Sequence, residues 1–342
     1  MTLIIKKLDN TNENTWDDVV FSSSFGTIFH TINWLRLAQE QTNTEFLPLI
    51  FYKGTQLVAI YPIFLKKQGP IKVALSPPSR SYMSYLGPVI ANYDSLKQDK
   101  KESTYNQIQE AMDNYIFKIK KCKYARIRTS PGLYDSRPLK WSGYTIVPYY
   151  TYRIDLTAGI DHVWKQCDNT VRRAVNQSEK EALTVRNGDK EDLEFIYDSM
   201  WKRYVEQGIK PTDYKIYLHA IYKKYYPNNL KIFVADYKGQ RIGGLLSLCF
   251  KNIVHFWVGL PKTNLAKFSP NEKIIWEAIK WAQTNGFDYC ELMDAGVNPR
   301  LRHFKSKFNP NLVVWFSATK YSSTFFKASE KLFNIARRKG FN

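Results

Sequence analysis

Near the C-terminal end, the segment RLRHFKSKFNP places Arg300, Arg302, Lys305 and Lys307 beside His303. Leu301, Phe304 and Phe308 recur at a spacing that seats one side of the segment on apolar neighbours and limits the freedom of the cations. Cations held in this way do one of two jobs: they form a solvated rim, or they grip an anionic substrate. A second cationic group lies in VWKQCDNTVRRAVNQSEKEAL, residues 163–183. Its apolar positions form a broken helical stripe, with Arg172, Arg173 and Lys180 on the charged face. Arg173 and Lys180 share that face, two turns and roughly 10 Å apart, a separation that suits a diphosphate. Glu179 and Glu181 partly neutralise the cluster, so a solvated face fits the same residues. A third signal is a sharply written helix start: Ser269, Pro270, Asn271 and Glu272 form S-x-x-E with proline at the first helical position. The amides of such an end face the preceding KTNLAKF and favour an anion, with Lys267, Ser269 and Asn271 at hand; capping alone explains the motif equally well. Arg80, Tyr82 and Tyr85 in SPPSRSYMSYLGP are placed by their loop position to line a groove. Cys122, Cys167, Cys249 and Cys290 are far apart, with no CxxC and no Cys/His cluster. They argue against a zinc site and read as buried, reduced thiols of a cytoplasmic protein.

Elements must hold these groups in place. The chain has 342 residues, more than one typical core supports, so two domains are expected. Hydrophobic residues make up 44% and aromatics 15%, a globular rather than a disordered composition. Fifty Lys and Arg oppose 31 Asp and Glu, giving a net charge of +19. That charge raises the local concentration of anionic partners such as nucleic acid, an anionic membrane or a phosphorylated substrate. MTLIIKKLDN lacks a signal-peptide pattern, and apolar runs such as LVAIYPIFL fall far short of the ~20 residues a spanning helix needs.

A weak internal repeat divides the chain. YKGTQLVAIYPIFL (Tyr52 to Leu65) and YKGQRIGGLLSLCF (Tyr237 to Phe250) both put a Lys-Gly turn between β-rich runs, a hairpin signal. Each hairpin is followed by a β-rich segment, then by a helix: STYNQIQEAMDNYIFKIKKC in the first half, NEKIIWEAIKWAQTNG in the second. Each helix leads into a further strand, KYARIRT or YCELMDA. A duplicated mixed α/β unit is the economical reading. The expected domains are residues 1–150, residues 151–320 opened by the basic helix, and a basic amphipathic helix over 321–342. That last helix either packs on the second domain or docks onto an anionic bilayer.

Several of these segments together resemble one family. TVRRAVNQSEKEALTV resembles the arginine-rich helix that opens the second half of the FemABX proteins, the peptidoglycan-bridge aminoacyl transferases. FSPNEKIIWEAIKWAQTNGFDYCELMDAG followed by RLRHFKSKFNP resembles their closing segment, and TIFHTINWLRLAQE their early helix. The likeness runs from about Ile28 to Val314 and extends to the broader FemAB-like, or BioF2-like, group. It implies two tandem GNAT-like domains, an α/β fold with mixed α+β sheets, and acyl transfer to an amine. The implied donor is an aminoacyl-tRNA or an acyl-CoA, with no permanently bound cofactor. The implied acceptor is an amine on a phosphorylated cell-envelope precursor. By resemblance, Lys305 stands at the Phe-Lys position of the closing loop and neutralises charge developing on the carbonyl. Asp294 then accepts the amine proton, orients Lys305 or Arg302, or caps the loop. His303 is either structural or a further base. Arg36, near Trp34, takes the place of a lysine that contacts the precursor, and Arg80, Tyr85, Arg172, Arg173, Lys180, Arg302 and His303 complete the substrate-binding set. NLAKFSPN lacks the glycines by which ordinary GNAT enzymes hold the CoA pyrophosphate. On this reading the chain works as a monomer, in the cytoplasm or peripherally at the inner face of the membrane. An acyl-CoA-dependent acetyltransferase acting on another small-molecule or glycan amine is a close alternative. A non-catalytic basic module that binds nucleic acid is the alternative from another class.

Overall fold

The computed structural model describes residues 3–9, 13–211, 213–259, 268–294, 296, 298–324 and 326, apart from the side chain of Asp294. Lys267, the Asp294 side chain and the tail beyond residue 326 therefore lie outside the described residues. Two compact units emerge, Met1–Tyr149 with Val314–Asn342, and Tyr150–Val313. The chain passes from one to the other inside a strand and returns inside another.

The first unit begins with β1 (Leu3–Lys7), α1 (Glu13–Ser22) and α2 (Ile32–Thr42), then β2 (Glu45–Lys53) and β3 (Gln56–Gln68). β2 and β3 form the expected hairpin, turning at Gly54, whose positive φ of 62° suits glycine. β4 (Ile71–Ser76), the short β5 (Val89–Ile90), α3 (Gln98–Asp113), β6 (Tyr124–Arg128) and α4 (Arg137–Trp141) follow. The helix expected after the hairpin ends with a π-helical turn, Asn114–Ile119. β4 and β6 pair in parallel, so α3 is the crossover that parallel pairing requires. Leu47, Tyr61, Ile63, Ala125, Ile127, Tyr105, Ile108 and Met112 share this unit's core.

β7 (Thr145–Asp155) carries the chain into the second unit. There α5 (Ile160–Gln166) and α6 (Asn169–Lys180) replace the single helix expected over 163–183. The break has a local cause: Asp168 caps α6, its carboxylate accepting from the Thr170 amide at 2.7 Å. β8 (Thr184–Asn187), α7 (Lys190–Glu206), α8 (Lys215–Tyr225), β9 (Leu230–Tyr237), β10 (Gln240–Phe250) and β11 (Ile253–Gly259) follow. α9 (Asn271–Thr284), β12 (Tyr289–Asp294) and α10 (Pro299–Ser306) complete the unit. The β9–β10 hairpin turns at Lys238 and Gly239, both at positive φ. Its two-residue turn sits one position earlier in the repeat than that of β2–β3, and a bulge in each hairpin absorbs the offset. The sheet order is β7-β12-β11-β10-β9-β8, with β11 and β12 parallel and α9 as their crossover. Hairpin, strand, helix and parallel strand thus recur in both units. Val163, Val171, Val175, Ile274, Ile275, Ala278 and Ile279 pack onto one face of this second sheet.

β13 (Asn311–Tyr321) returns to the first unit and pairs with β6 from Ser317↔Arg128 to Tyr321↔Tyr124. The expected boundary at residue 320 therefore moves back to Val313, because β13 finds its ladder partner on β6. Of the helix expected over 321–342, most residues lie outside those described. Among the described residues no helix is long and apolar enough to cross a membrane.

Candidate acyl-transfer site

The parallel ladder between β11 and β12 is short: Ile253↔Tyr289, Val254↔Cys290 and His255↔Glu291. It ends there, although β11 runs on to Gly259 and β12 to Asp294. Both strands carry an extra residue just past the last pair. β11 bulges at Trp257 against β10, where Leu246 faces Val258 and Ser247 faces Phe256. β12 shifts register against β7 between Glu291 and Asp294, and Met293 takes a left-handed φ of 57°. A bulge bends its strand and frees ladder groups, so the two strands fork beyond His255 and Glu291. Backbone N–H and C=O groups on the walls of a fork can pair with an extended ligand. Gly259 ends β11 at φ 134°, where a Cβ would lie 2.3 Å from the Gly244 carbonyl oxygen.

At the base of the fork a polar row crosses three strands. Arg153 of β7 pairs with Glu291 of β12, which pairs with His255 of β11. The Arg153 guanidinium donates to Glu291 Oε2 at 3.2 Å, and the Thr151 hydroxyl donates to Oε1 at 3.0 Å. His255 Nδ1 lies 3.6 Å from Oε2. Glu291 is 0% and His255 2% exposed, whereas the Arg153 side chain keeps 22%. Strand alternation explains the row: Cys290 and Leu292 face the apolar core, so Glu291 faces the other side. A buried carboxylate persists only when paired and hydrogen-bonded, and here Arg153 and Thr151 supply those partners. None of these four residues was singled out from the sequence. The available signal was a charged residue interrupting each apolar run, Glu291 in YCELMD and His255 in IVHFWVG.

The closing segment is fixed beside β12. Asn298 caps α10, accepting from the amides of Arg300 and Leu301. The Lys305 ammonium, half-buried, donates to the Met293 carbonyl at 3.2 Å and so ties α10 to the wall of the fork. Phe304 packs edge-on to Phe308, and Phe308 is buried in the core. Leu301, expected to anchor the segment, is instead 39% exposed, because it falls on the outer side of α10. Arg302 reaches the Gly296 carbonyl at 3.4 Å, while His303 is exposed. The Lys307 carbonyl accepts from the Asp168 amide, joining this segment to the start of α6.

The remaining expected residues divide by element. Arg172 turns back over the end of α5 and donates to the carbonyls of Lys165 at 2.9 Å, Trp164 and Cys167, so it acts as a helix cap rather than a free phosphate ligand. Arg173 and Lys180 lie exposed on α6. Between α6 and α9 an unforeseen buried Lys273 pairs with Glu179 and Glu277, each at 2.6 Å. At the start of α9, Pro270 occupies the cap position and the Ser269 hydroxyl donates to the Glu272 carboxylate, so the expected capping box does not form. Asn271 opens the helix, partly buried. Arg36, Arg80 and Tyr85 belong to the first unit. Arg36 pairs with Glu13. Arg80 is exposed at a positive φ of 67°. Tyr85 is a core residue rather than a groove wall, buried against Phe29 and Trp315. All four cysteines are buried and unpaired, and burial pushes the thiols of Cys122 and Cys167 up to about 11 and that of Cys249 to about 12. None is poised as a nucleophile.

Part of the sequence and the fold of the whole chain are similar to known proteins. A model of the GNAT acetyltransferase domain matches residues 165–305, which span the fork and Lys305. The structure of FemX is similar over 92% of this chain and 96% of its own, with a TM-score of 0.70 and 12% identity. L-PGS from Bacillus licheniformis is similar over 92% of each chain, with a TM-score of 0.55 and 12% identity. A tandem GNAT protein from the clavulanic acid biosynthesis pathway covers 94% of this chain and 99% of its own, with a TM-score of 0.53 and 9% identity. No curated protein matches the sequence. Residues 165–305 therefore match a GNAT acetyltransferase domain, and the chain as a whole shares the fold of FemX and of the tandem GNAT protein.

Proposed function

We propose that the protein transfers an acyl group from a thioester or ester donor to an amine on a phosphorylated cell-envelope precursor, at the fork between β11 and β12. One observation carries this reading: the fork opens between the buried Glu291–His255 pair at its base and Lys305 at its wall. The donor lies extended in the fork, paired with strand-edge backbone groups. The acceptor nitrogen forms a bond to the acyl carbon as the C–S or C–O bond to the donor breaks. The nitrogen's proton passes to the His255–Glu291 pair, and the leaving thiolate or alkoxide is protonated in turn. Lys305 offsets the negative charge that gathers on the carbonyl oxygen, a role whose loss typically costs a hundred- to thousandfold in rate, about 3–4 kcal/mol. The GNAT domain match favours acyl-CoA as donor, and the fold shared with FemX favours an envelope precursor as acceptor.

The test is incubation with labelled acetyl-CoA and, separately, with charged tRNA, followed by mass analysis of a pool of cell-envelope precursors. A donor-dependent mass increase is expected, falling at least a hundredfold in Lys305→Ala and Glu291→Gln. No increase with either donor, or full transfer by both variants, overturns the reading.

A further inference from the structure

Among the described residues, one end of the first unit gathers lysines that form no salt bridge. The β3–β4 hairpin contributes Lys66, Lys67 and Lys72, and the connection from α3 to β6 contributes Lys118, Lys120, Lys121 and Lys123. The topology brings these together. Lys67 and Lys72 face each other across the ladder. The Lys123 amide donates to the Lys72 carbonyl at 2.8 Å, and Lys72 and Lys120 both act electrostatically on Cys122, between them. Among the described residues, the cations of this unit's salt bridges are Arg36, Lys100, Arg137 and Lys320. Glu45, across the ladder from Leu65, is the acid that bears on the same cysteine.

Like charges directly opposite each other destabilise a sheet, so the Lys67–Lys72 pair is a cost to the folded chain that a bound anion removes. Two features favour a lipid surface over a polynucleotide. Ile119, among the lysines, is 60% exposed, and Pro70 is exposed at the turn. Aliphatic tips ringed by cations suit the boundary between headgroups and acyl chains, whereas unstacked bases need flat rings. The rings here are already engaged: Tyr124 packs on Tyr321, and Tyr115 and Phe326 lie under Lys120 and Lys123. β13 also ends at this edge, where the Ser322 amide bonds to the Lys123 carbonyl, and the sequence beyond continues with Lys327, Lys331, Arg337, Arg338 and Lys339.

We propose that this lysine-rich end of the first unit docks onto an anionic lipid bilayer. The inference does not depend on the chemistry of the fork. Each lysine near an anionic surface contributes roughly fivefold to partitioning, so removing three charges weakens it about a hundredfold.

The full-length protein is tested by flotation with phosphatidylcholine vesicles, with and without phosphatidylglycerol. Binding is expected only to the anionic vesicles, and high salt abolishes it. The variant Lys67→Gln/Lys72→Gln/Lys121→Gln, with thermal melting as the folding control, is expected to lose about a hundredfold in affinity. At low salt Ile119→Ser is expected to weaken binding to the anionic vesicles by a smaller factor than the triple variant. Equal binding to neutral vesicles, undiminished binding by the folded triple variant, or a loss of tRNA binding without any vesicle binding overturns the proposal.

Discussion

Replacing Lys320 by methionine tests how β13 is held in the first unit. The Lys320 ammonium lies 2.6 Å from Asp113 Oδ2 and 2.6 Å from the Ser142 carbonyl oxygen, joining β13 to α3 and to the turn after α4. Asp113 Oδ1 also accepts from Tyr144 at 2.7 Å and Gln109 at 2.8 Å. Burial holds the Asp113 carboxyl above its usual value, and the bonds from Lys320 and Tyr144 offset only part of that rise. Breaking a fully buried pair costs about 3–5 kcal/mol, and this pair is partly exposed, so a loss of about 2–3 kcal/mol is expected. At ~2–4 °C per kcal/mol for a domain of this size, the unit's melting temperature falls by roughly 4–12 °C. The pH dependence follows from the direction of the shift. A carboxyl whose folded pKa exceeds its unfolded value binds a proton on folding, so stability falls as pH rises from the unfolded value through the folded one. Removing Lys320 raises the folded value further. The variant's deficit is therefore smallest below the ordinary carboxylate range and grows as pH rises above it. Adding Asp113→Asn to the variant removes the uncompensated charge and recovers stability at neutral pH. Melting curves by circular dichroism across pH measure both effects. A deficit independent of pH, or no recovery in the double variant, refutes the reasoning.

Arg172→Met removes the guanidinium that caps α5 and is expected to lower stability by about 1–2 kcal/mol without altering affinity for nucleotide-linked substrates. Denaturant melts and ligand titration separate this outcome from a phosphate-binding role. Burial lowers the Lys251 ammonium to about 8, so at that pH Lys251 is expected to react with acetic anhydride ahead of the exposed lysines, as peptide mass mapping would show.

Local patterns made the repeating frame legible. Lys-Gly turns between β-rich runs placed both hairpins, because turn conformation depends on two or three residues. The apolar stripe of α9 and its stop at Gly286 depended only on neighbours a few positions away. The closing segment stood out by its own pattern of cations and apolar residues, but the role of Lys305 came only from its resemblance to a family. Other readings failed where a distant partner decided the outcome. Arg172 looks like a ligand on a helical wheel, but the carbonyls at the end of α5 claim it. Tyr85 sits in a polar loop, yet Trp315, far along the chain, buries it.

The sequence by itself determined the two hairpins, the helix that follows each of them and the recurrence of a mixed α/β unit, since each of these rests on spacing within a few residues. Only the tertiary structure decided where chemistry can happen. The fork between β11 and β12 comes from bulges that exist only once β10 and β7 are paired alongside. Glu291, His255 and Arg153 lie far apart in the chain and meet only because three strands align them in register. A carboxylate becomes a buried, partnered group through that pairing, and no local pattern encodes it.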